Sequence, residues 1–343
     1  MNLLLKIAVS TGIGSLRRKI NTIRRHPSII RDVFGARNWQ KIEDKMRSLD
    51  EKEVFEFIAN TKKNLTNQPF VDTNAKLNLN KLCLVEDFQN NELLQALLEI
   101  QKLDPKGLIH RKDWEWAMGI TAMRRLGKLN QRCLAIGIGC GTEVIPFYLA
   151  NKISHVYATD LYNAGNWKAA APTDFPENPK KYASFPYRED ALTVMRMDGR
   201  RLEFPSETFD IAFSFSSIEH FGGKNHSGAL KSVREMERVL KPRGIAVIAT
   251  EYIINNKKHY EFFNRRTIFS DLINKIESLR LVEPINFRIT ERTLDTILDF
   301  FTIDVNWDKF DDDFKRQNPL ILLRARNILF TSIMLVFSKP EKL

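Results

Sequence analysis

The chain has 343 residues, of which 43% are apolar and 28% charged, a composition typical of a soluble protein. Its length suits one large domain plus a smaller one, or two modest domains. Its cysteines, Cys83, Cys133 and Cys140, are too few and too far apart for a disulfide framework, and none forms the Cys-x-x-Cys pair of a structural zinc site. No apolar run approaches the ~18–20 residues that a membrane-spanning helix needs.

The positive charge is concentrated at the start of the chain. Lys and Arg outnumber Asp and Glu by 53 to 42, a net charge of +11, and residues 1–47 hold eleven of the basic but only three of the acidic residues. They therefore carry +8 of the excess. The apolar stretch and basic pairs of residues 1–38 are typical of a segment that contacts anionic lipid, and equally of a solvated arm. Because Lys6 interrupts the apolar stretch, we predict no cleaved signal peptide and a cytoplasmic location, with peripheral membrane contact left open.

Helical patterns come first along the chain. In residues 39–66 and again in 88–103, apolar side chains recur at three- and four-residue spacings, as on one face of a helix. We therefore predict a mostly helical N-terminal region, residues 1–105, with its basic arm at 1–47. A second domain, residues 106–343, begins with a helix that contains Trp114 and ends near Gly127.

Apolar runs then alternate with helical stretches, which predicts βαβ units and a parallel sheet covered on both faces. Two strand-like runs near the end, Leu279–Phe287 and Ile328–Phe337, predict an antiparallel strand that closes the sheet. The predicted parallel strands are Cys133–Ile138, His155–Asp160, Leu192–Met197, Phe209–Ser217 and Ile245–Tyr252, and the helices are Glu143–Asn151, Ser227–Leu240 and Asn264–Ser278.

A glycine loop follows the first strand directly, with Gly137, Gly139 and Gly141 at alternate positions. Such glycines let the backbone turn tightly and approach a nucleotide-like ligand. The dinucleotide fingerprint would need its third glycine where Thr142 stands. Asp160 ends the next strand, where a carboxylate can accept two ribose hydroxyl hydrogen bonds in either class of cofactor.

The pair Asp198-Gly199 ends the third strand, where the carboxylate can accept an adenine amine and the glycine lets the ring lie against the backbone. With Phe209-Asp210 through His220 and the turn Leu240-Lys-Pro-Arg-Gly244, these pieces in this order resemble the class I S-adenosylmethionine-dependent methyltransferases, close to the methyltransferase type 11 group. The resemblance covers residues 130–255, and the closing strand extends it to 338.

The resemblance implies an α/β, Rossmann-like, seven-stranded and mostly parallel sheet with an antiparallel last strand, and S-adenosylmethionine as cofactor. It places the three loop glycines near the methionine and ribose, Asp160 on the ribose hydroxyls, and Asp198 with Gly199 at the adenine. The family usually has an acidic residue two positions before the first glycine, where this chain has Ala135. Glu143, just beyond the loop, is the predicted substitute for holding the methionine ammonium.

His220 is the candidate general base, because it follows the fourth strand at the edge where open α/β sheets bind ligands. Glu219 precedes it, and Glu251 ends the fifth strand at the same edge. His220 is equally suited to capping a turn or packing beside the cofactor. Glu219, His220, Glu251 and His259 have the chemistry of metal ligands, but their spacing matches no known metal motif, so we predict no metal.

The long segment 162–190 carries several prolines and aromatic residues, and is expected to wall an acceptor pocket or to cover the edge of the sheet. The predicted acceptor is a small molecule, a sugar or glycan precursor, or a lipid-linked molecule. An RNA methyltransferase that uses the basic arm is the main alternative. Nucleic acid is not the expected partner, because Ser216–Glu219 stands where base-methylating enzymes have their Pro-rich or Pro-Cys motifs. A nicotinamide-dependent oxidoreductase and a non-catalytic binding module are further alternatives.

Overall fold

The computed structural model describes residues 36–65, 73–100, 109–163, 169–299 and 311–341. Contacts within the chain group it into two units, Met1–Lys63 and Asn64–Leu343. Of the first unit the structure describes helix α1, Ala36–Lys63, which lies close to the predicted 39–66 and carries Lys62 and Lys63 in its last turn, where cations favour the helix dipole. Residues 1–35, with most of the basic arm, lie outside the described residues.

The second unit is built on one mixed sheet of eleven strands, with the path β4-β3-β2-β5-β6-β11-β10-β9. Neighbours from β4 to β6 pair in parallel, and β11 pairs antiparallel to β6. The α/β fold and the antiparallel closing strand are thus confirmed, whereas the predicted count of seven strands is wrong, because short strands β1, β7, β8, β9 and β10 join the same sheet. The strands are β1 Lys81–Leu82, β2 Leu134–Ile138, β3 His155–Asp160, β4 Leu192–Arg196, β5 Phe209–Phe215, β6 Leu240–Ile253, β7 Phe263–Asn264, β8 Arg280–Leu281, β9 Ile297–Asp299, β10 Leu322–Ala325 and β11 Ile328–Ser338.

The described helices flank this sheet. They are α2 Asn91–Glu99, α3 Arg111–Arg125, α4 Val144–Ala150, α5 Ser227–Val239, α6 Arg265–Thr267, α7 Glu291–Leu294 and α8 Asp312–Gln317. Short 3₁₀ turns occupy Val85–Gln89, Pro179–Tyr182, Glu189–Ala191, Ile218–Phe221, Lys224–His226 and Ile273–Lys275. No helix of the described residues has the length and apolar character that would let it cross a membrane.

Two predicted elements differ from the structure. The helix predicted over Asn264–Ser278 is instead the three-residue α6, a π turn at Ile268–Leu272 and a 3₁₀ turn, with the backbone leaving helical angles at Leu272 (φ −125°, ψ −78°). The strand predicted over Leu279–Phe287 is reduced to β8, opposite the end of β11. Pro284 interrupts that run, because it has no N–H to donate to a sheet.

Both faces of the sheet are buried, which explains the uninterrupted apolar runs of its strands. On β2, Ala135 faces the apolar cluster that includes α3 and α4, whereas Ile136 faces the cluster that includes α5. Packing on both sides fixes the strands, and the loops at their carboxyl ends therefore leave from a rigid edge.

Candidate functional site

A cavity of about 680 Å³ opens at the carboxyl edge of the sheet, within the size range of small-ligand pockets. It is bounded by the loops after β2, β3, β4 and β5, by the end of β6 and by the first turn of α3. Of the residues predicted from sequence, Gly139, Gly141, Glu143, Asp160, Asp198, Gly199, His220 and Glu251 line it. Gly137 and Glu219 lie beside it, outside the described lining residues.

Gly141 is the point of closest backbone approach in the glycine loop. Its φ is +46°, a left-handed angle that favours glycine. A Cβ built on it would lie only 2.4 Å from the carbonyl oxygen of Ala170, which belongs to the backbone and cannot rotate away. Gly137 is needed for another reason, because a Cβ there would meet Cys140 Sγ and the Phe213 ring within the core.

Side-chain hydroxyls hold the carbonyls of this loop. Four carbonyl oxygens of this loop each accept a hydrogen bond from a side-chain hydroxyl of a neighbouring strand or loop. The donors are Thr159 to Gly137 at 2.7 Å, Ser214 to Ile138 at 2.8 Å, Ser217 to Gly139 at 2.6 Å and Tyr162 to Gly141 at 3.1 Å. The loop therefore has a fixed shape before any ligand binds.

Asp160 joins the end of β3 to the glycine loop. Its Oδ2 accepts from the Gly141 N–H at 2.9 Å and its Oδ1 from the Leu161 N–H at 2.6 Å. Burial raises the pKa of this carboxyl, and the backbone donors oppose that shift only in part. The Tyr162 N–H is a third backbone donor to this carboxylate. A carboxylate has about four acceptor positions, so about one remains for a hydroxyl group of a ligand.

Asp198 faces Arg200 at the far end of the cavity. The Arg200 guanidinium donates from Nε to Oδ1 at 2.9 Å and from Nη2 to Oδ2 at 2.7 Å, and it lowers the pKa of Asp198. Gly199 lies against Ile138 and Phe221, and a Cβ on it would come within 2.3 Å of Ile138 Cγ2. Gly199 therefore has no space for a side chain. The Asp198 carboxylate and the apolar Phe221 side chain both line the cavity here.

Glu143 lies at the opposite end, as the residue that precedes α4. Its carboxylate pairs with the Lys112 ammonium, and burial raises its pKa to about 7 despite that cation. Ala135, the position of the missing acidic residue, is fully buried in the core and does not line the cavity. Of the two positions, only Glu143 can contact a ligand.

Sequence analysis missed the first turn of α3. Arg111 and Lys112 line the cavity and both bind Glu115, which is completely buried. Ser216 and Ser332 also donate to Glu115, at 2.8 and 2.5 Å. Burial would raise the pKa of Glu115, but the two cations outweigh it and the pKa is lowered. The sequence did contain a signal for this pairing. Arg111 and Lys112 stand four and three positions before Glu115, and residues at these spacings share one helix face.

His220, Glu219 and Glu251 meet where β5 and β6 end. One potential ligand atom of each lies within 4.8 Å of the other two. Glu251 Oε1 accepts from Arg111 at 3.1 Å, and Glu219 Oε2 accepts from Thr250 at 2.9 Å. Burial lowers the pKa of His220, which favours the neutral imidazole, and raises the pKa of Glu251.

Two rings form an apolar wall beside these polar groups. Phe262 and Phe330 line the cavity with ring centroids 4.9 Å apart, and Phe262 also packs edge-on against His220. His259 stacks on Phe262 but is not among the described lining residues.

The described part of the segment 162–190 covers the edge of the sheet, as one of the two expectations had it, and its role as the wall of an acceptor pocket stays a prediction. Tyr162, Ala170 and Ala171 line the cavity, whereas Phe175 and Tyr182 pack into the core below. Trp167 lies outside the described residues.

Comparison with known proteins gives the site a context. Residues 136–248 match the family described as a methyltransferase domain. Solved structures similar in fold include a putative sarcosine dimethylglycine methyltransferase from Galdieria sulphuraria, with 15% identity over 74% of this chain and 100% of that one and a TM-score of 0.43. An N-methyltransferase of Haemonchus contortus in complex with phosphomonomethylethanolamine and S-adenosylhomocysteine shares 15% identity over 73% of this chain and 60% of that one, with a TM-score of 0.42. No curated protein matches the chain.

Proposed function

The chain carries a class I S-adenosylmethionine-dependent methyltransferase domain, and we propose that it methylates a small molecule, a sugar or glycan precursor, or a lipid-linked acceptor. The observation that carries the proposal is one continuous cavity, which extends from the cofactor-type groups Asp198 and Asp160 to His220 and Glu251. Bound there, the cofactor supplies a sulfonium methyl group that a nucleophile can accept.

The residues present fit this cofactor. The Asp160 carboxylate suits ribose hydroxyls, and the Asp198 carboxylate with the apolar Phe221 side chain suits an adenine ring. Lys112 and Glu143 provide one charge of each sign for the carboxylate and ammonium of the methionine end. The fixed shape of the glycine loop would hold the reacting methyl group in one position and keep water away, which is the main contribution that a protein makes to such a transfer.

The charge of the cavity supports a small acceptor over RNA. Among the described lining residues, the acidic groups Glu143, Asp160, Asp198 and Glu251 outnumber the basic groups Arg111, Lys112 and Arg200. A surface that follows a phosphate backbone would need an excess of cations. The aromatic wall beside His220 and Glu251 suits a compact acceptor with both polar and apolar parts. The assignment of His220 as general base stays a prediction.

Calorimetric titration with S-adenosylhomocysteine, with NAD and NADP as comparisons, tests the proposal first. We expect binding of S-adenosylhomocysteine alone, weakened in Asp160→Asn and unchanged in Glu177→Gln, whose carboxylate pairs with Arg196 on the surface. Transfer of labelled methyl from S-adenosylmethionine to fractionated small molecules, nucleotide sugars, lipid extracts and RNA then identifies the acceptor class. Label found in RNA alone would favour the RNA methyltransferase alternative. If the chain does not bind S-adenosylhomocysteine, the proposed methyltransferase function is refuted.

Peripheral membrane contact through residues 1–38 is proposed on the basic and apolar pattern of that segment alone. Vesicles that contain anionic lipid should retain the full chain and release it at high salt. A chain without residues 1–38 should not be retained. Equal retention of both chains would remove the membrane role.

A further inference from the structure

The turn after β5 and the end of β6 bring three potential metal ligands together. Glu219 and His220 lie in the 3₁₀ turn Ile218–Phe221, and Glu251 lies on β6, the parallel neighbour of β5. Their ligand atoms, one from each side chain, lie within 4.8 Å of one another. Ligands of a tetrahedral ion with bonds of about 2 Å lie about 3.3 Å apart, so side-chain movements of about 1 Å would close the set around one ion.

In the carboxylates of Glu219 and Glu251, one oxygen accepts a hydrogen bond from the protein and the other oxygen does not. Thr250 donates to Glu219 Oε2 and Arg111 donates to Glu251 Oε1. Among the described residues, Glu219 Oε1 and Glu251 Oε2 are buried without a hydrogen-bond partner. Both side chains are almost fully buried, at 0% and 6% exposure. A buried carboxylate oxygen without a donor or a cation is costly, so each of these oxygens requires a partner.

The surrounding charge also calls for a cation. Carboxylates in and next to the cluster outnumber the cations there, and if all are ionised the group carries −3. The carboxylates are Glu115, Glu143, Glu219, Glu251 and Glu261, and the cations are Arg111 and Lys112. Arg111 donates to Glu251 Oε1 and leaves Glu251 Oε2 without a hydrogen-bond donor. A single proton would neutralise only one carboxylate, whereas a divalent ion would contact both free oxygens.

We propose that Glu219, His220 and Glu251 bind one divalent metal ion at the acceptor end of the cavity. One imidazole with two carboxylates suits Mn²⁺ or Zn²⁺, and three protein ligands leave coordination positions open. Glu251 and His220 line the cavity, so an acceptor oxygen could occupy an open position. This role rests on the proposed methyl transfer, but metal binding itself does not. The ion would coordinate the His220 imidazole, so His220 would not act as a general base while the ion is bound.

Titration of the chelator-treated full chain with MnCl₂, followed by the electron paramagnetic resonance signal of free Mn²⁺, tests the site. We expect one ion per chain, and at least tenfold weaker binding in Glu219→Gln and in Glu251→Gln. Glu177→Gln, a surface change of the same chemistry, should bind Mn²⁺ as the unmodified chain does. Competition by Zn²⁺ and Mg²⁺ should rank Zn²⁺ above Mg²⁺, because imidazole suits Zn²⁺.

The same proteins are titrated with S-adenosylhomocysteine, so failure of the metal site and failure of the proposed function are separated. Should Glu219→Gln not fold, as judged by circular dichroism, His220→Gln replaces it in the comparison. The proposal is overturned if the unmodified chain binds no stoichiometric Mn²⁺, or if the folded variants bind it with unchanged affinity.

Discussion

Gly141→Ala is the sharpest test of the glycine loop, because this position combines a left-handed φ with a backbone neighbour. A non-glycine residue in left-handed conformation costs roughly 1–2 kcal/mol. The new Cβ would lie 2.4 Å from the Ala170 carbonyl oxygen, and overpacking of this kind costs about 1–3 kcal/mol. The two contributions together predict a loss of about 2–5 kcal/mol in the free energy of unfolding.

Gly127→Ala is the matched control. Gly127 follows α3 with a φ of +68°, and a Cβ on it would meet nothing within 4 Å. This variant should therefore lose only the conformational cost of roughly 1–2 kcal/mol. Urea unfolding of both variants, followed by circular dichroism and extrapolated linearly to water, measures the two losses. If Gly141→Ala loses no more than Gly127→Ala, the close approach to Ala170 is not what requires the glycine.

Four further outcomes are expected. Asp160→Asn should weaken S-adenosylhomocysteine binding roughly 10–100-fold in calorimetry, since hydrogen bonds to charged groups contribute about 1.5–3 kcal/mol. Burial raises the pKa of Asp160 and raises that of Glu143 to about 7, so the affinity of the unmodified chain should fall as the pH drops from above 7 through these values. A pH-independent affinity down to pH 4 would contradict this. Glu115→Gln should lower the free energy of unfolding by about 1.5–3 kcal/mol, because it weakens the charge-assisted hydrogen bonds of a buried carboxylate while Arg111 and Lys112 keep Glu251 and Glu143 as partners. A loss below about 1 kcal/mol would be inconsistent with that pairing. Cys140 is buried with a pKa raised well above its usual range, so iodoacetamide at pH 8 should modify it far more slowly than a free thiol, as mass spectrometry would detect.

The sheet could be predicted from sequence because its strands are apolar runs bounded by turn residues. His155–Asp160 was predicted to the residue, and the glycine loop, Asp160 and Asp198 follow strands whose ends must meet at one edge. The predictions that failed concern segments whose backbone conformation is set by tertiary packing. Ile268, Leu272 and Ile276 recur every four residues and are buried, yet the backbone that carries them is not a regular α-helix.

Contacts between distant residues were the other limit. Glu219 and Glu251 are neighbours only because β5 and β6 pair in one particular register, which places Phe215 beside Ala249. No spacing along the chain contains that information. The pairing of Lys112 with Glu143 likewise depends on where α3 packs against the sheet.

The first turn of α3 links the two halves of the cavity. Lys112 binds Glu143 at the proposed methionine end, Arg111 binds Glu251 at the proposed acceptor end, and both share Glu115. A substitution that adapts one end to a new ligand also changes the charge balance of the other through that carboxylate. Under the proposed function, acceptor preference and cofactor affinity are therefore coupled, and directed evolution for a new acceptor should leave this turn intact and vary the aromatic wall at Phe262 and Phe330 instead.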